Sequence, residues 1–113
     1  MIAKEKKSNK YQNAITEYNG AKYHSAKEAK YAEGLDWRLK GKDIASWRKQ
    51  VRMPVIVNGQ KICDYILDFE ITHNDGRKEY VDVKGYKQGL AYNHFKLKKK
   101  LIKAVHNIDI IEA

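Results

Sequence analysis

The chain has 113 residues, a formal net charge of +9 and a pI of about 9.6. This length suits one domain with one hydrophobic core, and 42% hydrophobic with 33% charged residues is typical of a globular protein, not a disordered one. No apolar run approaches the roughly 18 residues of a membrane span, and the lysine-rich start lacks the apolar region of a secretory signal.

The positive charge indicates an anionic partner, of which nucleic acid is the commonest. The segment from Lys84 to Lys103 holds seven lysines and no acidic residue. The alternative is a surface that is simply rich in lysine. Cys63 is the only cysteine, which excludes an intrachain disulfide and fits an intracellular protein.

In chain order, residues 1–12 are predicted to form a flexible basic tail, and residues 13–113 a single domain. Asn19-Gly20 predicts a first tight hairpin. The pattern Ser25-Ala-Lys-Glu28 is typical of a capping box, and it opens a helix that should end at Gly41. Trp37 and Trp47 are expected in the core and not on a base-stacking surface.

Two further turns, at Asn58-Gly59 and Asp75-Gly76, predict a meander of three antiparallel strands. A second helix is expected from about Ala91 to Val105, followed by a short strand from Ile108 to Ile111. The expected inner face of this helix has Leu97, Leu101 and Ala104, with Phe95 and Ile102 flanking and His94 packed inside. The order of elements predicts a mixed α/β domain around one sheet.

The segment from Asp64 to Ile71 alternates with the two-residue period of a strand. Its residues Tyr65, Leu67, Phe69 and Ile71 should share an apolar face, which leaves Asp68 on the other face. On the next strand Asp82 and Lys84 share one face, and the hairpin count brings Asp82 near Asp68.

Two neighbouring carboxylates repel each other unless a cation neutralises them, and Mg²⁺ takes oxygen ligands of this kind. A water bound to such an ion can attack a phosphodiester, and a nearby ammonium such as that of Lys84 can orient the water or stabilise the transition state. The alternative is an ordinary exposed strand face, on which Lys84 forms a salt bridge with Asp68 and Asp82.

Asp68 followed by Asp82-Val83-Lys84 resembles the signature of the PD-(D/E)XK nucleases, although Leu67 replaces the proline. The chain is most similar to a family of small phage and prophage Holliday-junction-resolvase-like endonucleases. Four ordered blocks carry this resemblance: Ser25-Ala-Lys-Glu-Ala-Lys-Tyr31, Tyr65-Ile-Leu-Asp-Phe69, Val81-Asp-Val-Lys-Gly85 and Phe95-Lys-Leu-Lys-Lys-Lys-Leu101.

The resemblance implies roles for individual residues. Asp68, Asp82 and the backbone carbonyl of Val83 would bind Mg²⁺, for which Mn²⁺ could substitute, and Lys84 would position or activate the attacking water. Glu28 matches a carboxylate that completes the site in related nucleases, although its place in the capping box explains it equally. Lysines on the second helix and before it are candidates for phosphate contacts; they are Lys87, Lys96, Lys99, Lys100 and Lys103.

The resemblance also implies an αβββαβ core of the restriction-endonuclease type, a mixed sheet with one helix on each face, here preceded by an extra β-hairpin. The expected activity is Mg²⁺-dependent DNA cleavage, with branched DNA such as a Holliday junction as substrate, a homodimer as the working form and a bacterial cytoplasm as the location. The alternatives are a nuclease with little structural or sequence preference, and a non-catalytic nucleic-acid-binding module.

Overall fold

The computed structural model describes residues 15–85 and 87–113, so the predicted tail of residues 1–12 lies outside the described residues. No helix in these two ranges is long and apolar enough to cross a membrane. The elements in chain order are β1 (Thr16–Tyr18), β2 (Ala21–Tyr23), α1 (Ala26–Lys40), β3 (Ile44–Val57), β4 (Gln60–His73), β5 (Lys78–Asp82), α2 (Gly89–His106) and β6 (Ile110–Glu112).

Strands β3 to β6 form one mixed sheet in the order β3-β4-β5-β6, in which β5 and β6 are parallel and the other neighbours antiparallel. Strands β1 and β2 form a separate hairpin. Strand β4 pairs with β5 over only four residues but with β3 over nearly its whole length. The predicted α/β fold, an αβββαβ core behind an N-terminal hairpin, is confirmed.

All three predicted hairpin turns are present. Both residues of Asn19-Gly20 and of Asn58-Gly59 have positive φ, as type I′ turns require. The Asp75-Gly76 turn differs, because only Gly76 has positive φ, and the Asp75 carboxylate accepts a hydrogen bond from the Arg77 amide. It still joins β4 to β5 and sets the register that places Asp82 beside Asp68.

Helix α1 begins as the capping box predicts. Ser25 is extended, with φ of −154°, and its Oγ accepts a hydrogen bond from the Glu28 amide at 3.1 Å. Gly41 ends the helix and donates to the Trp37 carbonyl at 2.9 Å. The indole of Trp37 is 65% exposed, so the expectation of a core position was wrong for Trp37, whereas Trp47 packs against Phe69.

The hydrophobic core has two parts, one under each helix. The α1 core consists of Tyr23, Ala29, Ala32, Leu35, Ile44, Phe69, Ile71, Val81 and Val83. The α2 core consists of Met53, Val55, Tyr65, Leu67, Phe95, Ile102 and Ile110. Val81 belongs to the α1 core while its neighbour Tyr80 packs against the α2 core, so the two helices cover opposite faces of the sheet.

Strict alternation predicts that the apolar side chains of β4 all face one helix, but they do not. Tyr65 and Leu67 enter the α2 core, whereas Phe69 and Ile71 enter the α1 core. The change falls opposite Gln50 of β3, which has a left-handed φ of 55°. A left-handed residue interrupts the regular pleat, so the alternation does not continue through this point.

The predicted inner face of α2 was wrong for Leu97 and Ala104, whereas Leu101 packs against the α2 core as predicted. Phe95 and Ile102 are buried, whereas Leu97 is 58% exposed and Ala104 and His94 also lie on the outside. Successive helical residues are about 100° apart, so Leu97 points roughly 200° away from Phe95 and cannot share its face. The packed position expected for His94 was wrong for the same reason.

Candidate active site

The two candidate metal ligands come together where the β4–β5 ladder ends. The last paired residues are Phe69 and Val81, and beyond them side chains replace the backbone ladder. The Asp68 amide donates to Asp82 Oδ1 at 2.9 Å, and the Val83 amide donates to Asp68 Oδ2 at 2.9 Å. The proximity predicted from the hairpin count is confirmed.

Both carboxylates are withdrawn from solvent. Asp82 is 2% exposed and Asp68 is half-buried. Burial raises the pKa of each carboxyl group, and for each a backbone hydrogen bond and the charge of Lys84 oppose that rise. The alternative of an exposed strand face is therefore wrong for Asp82.

Among the described residues, one buried oxygen of the pair has no hydrogen-bond partner. Asp82 Oδ2 is buried and accepts no hydrogen bond from any described residue. A buried carboxylate oxygen of this kind is normally satisfied by a proton, an ordered water or a cation. The donor set suits Mg²⁺, which is commonly bound through one or two carboxylates and keeps several waters. Within residues 15–85 and 87–113, no group of three or more His, Cys, Asp and Glu side chains is placed to hold a metal ion.

Glu28 reaches the same region from helix α1. It is 8% exposed, and its Oε1 accepts a hydrogen bond from the His24 amide at 3.4 Å, which completes the cap. Burial raises the pKa of Glu28, and the negative charge of Asp68 raises it further, with a smaller contribution from Asp82. Capping and participation in the site are thus compatible for Glu28.

Lys84 follows β5 and is held on three sides. Its amide donates to the Ala113 carbonyl at 3.1 Å, its own carbonyl accepts from Lys27 Nζ at 2.8 Å, and its Nζ lies 4.0 Å from the centroid of the Phe95 ring. Among the described residues it forms no ion pair within 4.0 Å, so the salt bridge to Asp68 and Asp82 is not formed. Its charge nevertheless lowers the pKa of both aspartates.

Two neighbours of the site were missed in the sequence. The charge of His24 lowers the pKa of Asp68 and of Glu28, and Lys27 links α1 to the end of β5. His24 precedes the capping box and Lys27 lies within it, and this position was the available signal. If Glu28 comes to the site, the residues around it come with it.

Most of the predicted DNA-binding lysines have contacts within the protein. Lys99 Nζ is 3.0 Å from Glu112 Oε2, and Lys87 Nζ is 4.0 Å from Glu112 Oε1. Lys103 Nζ is 3.0 Å from a carboxylate oxygen of Asp109. The remaining two are Lys96, with Nζ 5.5 Å from the Tyr92 ring centroid, and Lys100, which is exposed.

Residues 8–110 match the model of a family described as a protein of unknown function (DUF1064), and the chain belongs to that family. No curated protein and no solved structure matches the chain.

Proposed function

We propose that this chain is a divalent-metal-dependent DNA endonuclease. The observation that supports this best is the buried pair Asp68 and Asp82, whose unpaired oxygen, Asp82 Oδ2, lies in a site that also receives the charge of Lys84. Structural carboxylates are normally satisfied by hydrogen bonds or ion pairs, so a buried one left open is a sign of function.

Asp68, Asp82 and the Val83 carbonyl would hold Mg²⁺, with Mn²⁺ as a substitute. The bound ion would supply Lewis acidity and lower the pKa of a coordinated water. Asp68 is only half-buried, so part of this residue stays open to solvent. The hydrogen bond from the Asp68 amide fixes the orientation of the Asp82 carboxylate before any ligand arrives.

Lys84 would position the attacking water or neutralise charge that develops on the phosphate. The hydrogen bonds of its backbone to Ala113 and Lys27 fix its place at the end of β5, and a cation–π contact with the Phe95 ring holds the ammonium. Glu28 would add a third carboxylate from the helix side. In-line attack of water would leave a 5′-phosphate and a 3′-hydroxyl, as in the nucleases that the sequence resembles.

Branched DNA is the substrate that the resemblance favours, and a homodimer would supply the two sites that symmetric cutting requires. A nuclease with little structural preference is the second candidate. Incubation with a four-way junction, a linear duplex and a single strand in Mg²⁺ separates them: the first predicts cleavage of the junction alone, and equal cutting of all three contradicts it.

The chemistry is tested by removing single groups. Lys84→Ala should slow cleavage by about 10²–10³-fold, the usual effect of losing one transition-state-stabilising group, and Asp82→Asn should abolish it. Glu70→Gln is the matched control for Asp82→Asn. Glu70, on β4, is buried like Asp82, but it is paired with Arg48 at 2.7 Å. Lys78→Ala on β5 is the control for Lys84→Ala. Equal loss in a variant and its control would contradict the assignment.

A binding measurement separates catalysis from a non-catalytic module. Mg²⁺ or Mn²⁺ should raise the Tm of the wild type and of Glu70→Gln, because a ligand that binds only the folded state stabilises it. Asp82→Asn should show no such shift. DNA binding without any metal-dependent Tm shift or cleavage would favour the non-catalytic module.

A further inference from the structure

Helix α1 carries an open cavity of about 320 Å³ along its outer side. This volume is at the lower end of the range for ligand-binding clefts, about 300–1,000 Å³. Gly34 leaves the space open, since a Cβ atom placed on it would meet nothing within 4 Å. We call this cavity the α1 groove; its lining residues are Lys27, Lys30, Tyr31, Gly34, Leu35 and Arg38.

The α1 groove is positively charged and its cations are not neutralised. In the part of the chain that the structure describes, no carboxylate oxygen lies within 4.0 Å of the side-chain nitrogens of Lys27, Lys30 or Arg38. The acidic residues Glu33 and Asp36 of α1 line a different depression.

The charge of Glu79 affects Tyr31 in the groove, but Glu79 has other partners. Burial raises the pKa of the Tyr31 hydroxyl, while the charge of Arg38 lowers it and that of Glu79 raises it. The Glu79 carboxylate lies 3.3 Å from His73 Nε2 and 4.0 Å from Arg77 Nη1. Because Glu79 is engaged by these partners, the three cations that line the groove, Lys27, Lys30 and Arg38, keep its net charge positive.

The α1 groove begins beside the candidate active site. Lys27 precedes Glu28 and bonds the Lys84 carbonyl, and from there the cations follow one side of the helix to Arg38. Eleven residues of helix span about 16 Å at 1.5 Å per residue. Along DNA each strand carries a phosphate about every 3.4 Å of helix axis, so this length suits several phosphates.

We infer that the α1 groove binds the phosphodiester backbone of the DNA that is cleaved at Asp68 and Asp82, an inference that rests on the proposed function. The backbone passes from the active site along α1, with Lys30 and Arg38 contacting phosphates. The lysines of α2 contribute less, because carboxylates of the same protein already neutralise two of them, Lys99 and Lys103.

DNA binding by the non-cleaving Asp82→Asn protein tests this, measured by fluorescence anisotropy with a labelled four-way junction and a labelled duplex over a range of salt concentrations. Adding Lys30→Gln and Arg38→Gln should weaken binding at least tenfold. The slope of log K against log [salt], which is negative, should also become less steep by about 2, since each phosphate contact contributes roughly −0.9. The matched control adds Lys96→Gln and Lys100→Gln, the same loss of charge on the exposed side of α2, and should change the affinity less than threefold.

A second pair of variants addresses the groove without removing a cation. Gly34→Glu places a negative side chain in the groove and should weaken binding at least tenfold, whereas Gly34→Ala should leave the affinity unchanged. Circular dichroism checks that both fold. An equal or larger loss in the α2 control, or unchanged binding by Gly34→Glu, would overturn the inference while leaving the proposed function intact. If the Asp82→Asn protein bound neither DNA, the proposed function would fail and the inference with it.

Discussion

The two helices are both rich in basic residues, but the structure uses these residues differently. On α2, Lys99 and Lys103 are paired with carboxylates of β6 and of the loop before it. On α1, Lys30 and Arg38 have no such partner among the described residues, although α1 also carries acids. The density of lysine in a sequence therefore identifies a basic helix, but the acids on neighbouring elements decide which cations stay free for a ligand.

The two hydrophobic cores also differ, in how closely each is connected to the candidate active site. The α1 core contains Phe69 and Val81, which flank Asp68 and Asp82 in sequence, and α1 itself carries Glu28. The α2 core contains Met53 and Val55 of β3 and Tyr65 and Leu67 of β4, and its Phe95 ring centroid lies 4.0 Å from Lys84 Nζ. Changes in the α1 core should therefore affect both stability and the site, and changes in the α2 core mainly stability.

The sharpest test of that difference compares two buried leucine-sized residues, Leu35 of α1 and Ile102 of α2. Leu35→Ala and Ile102→Ala should each lower the free energy of unfolding by about 2–5 kcal/mol, because each leaves a cavity in a packed core. Urea denaturation measures this loss.

Under conditions in which both variants remain folded, Leu35→Ala should also reduce metal-dependent cleavage, because α1 holds Glu28 against the aspartates. Ile102→Ala should keep most of the activity. If the two variants lost stability and activity in the same proportion, the two cores would not differ in their relation to the site.

A smaller effect is expected at Asp36, which connects three elements on the α1 side. Its Oδ2 accepts from the Tyr18 hydroxyl of β1 at 2.6 Å, and its Oδ1 accepts from Trp47 Nε1 of β3 at 3.0 Å. Asp36→Ala should lower the free energy of unfolding by about 1–3 kcal/mol, because two donors lose their acceptor.

The hydrogen bond to Asp36 raises the pKa of Tyr18 to about 12, so this tyrosine provides an independent readout. A pKa raised in the folded state gives a contribution to stability that is complete below pH 10 and is lost as the pH rises toward 12. In Asp36→Ala the pKa of Tyr18 should fall toward 10, and spectrophotometric titration measures it against Tyr18→Phe. An unchanged titration in Asp36→Ala would contradict the role of this bond.

Local sequence signals predicted much of the fold and of the site. The Asn-Gly turns, the capping box at Ser25 and the hairpin count that joins Asp68 to Asp82 depend on residues close in the chain, and each was confirmed. The predictions that failed depended on tertiary contacts. The inner face of α2 is set by which residues meet β4 and β6, and the division of the β4 side chains follows a left-handed residue, Gln50, on another strand.

The pairing of the α2 lysines could not be predicted for the same reason. Glu112 is 13 residues along the chain from Lys99 of α2, and the parallel pairing of β5 with β6 brings the two together. The cluster at Asp36 likewise joins residues from a hairpin, a helix and a strand. Sequence spacing carries no information about contacts of this kind.

The smallest expected effect is at Glu112, and it tests whether α2 lysines are neutralised by the protein itself. The hydrogen bonds from the Tyr92 hydroxyl and from Lys99 lower the pKa of Glu112 below its usual value of 4.5. Its contribution to stability is therefore present above pH 4.5 and is lost as the pH falls through the lowered pKa. Glu112→Gln should cost about 0.5–1 kcal/mol at pH 7, as a partly exposed ion pair does, and the difference from wild type should shrink below pH 4.5.

The same substitution should strengthen DNA binding slightly, because it releases the charges of Lys87 and Lys99. The expected gain is less than threefold and should disappear at high salt, where exposed charges are screened. Asp43→Asn, which removes an exposed acid away from α2, is the control for the change in net charge. Equal gains in both variants would mean that DNA responds only to net charge. A gain in Glu112→Gln alone would show that the protein's own carboxylates determine how much of the α2 charge is available, and this is the physical basis of the contrast with α1.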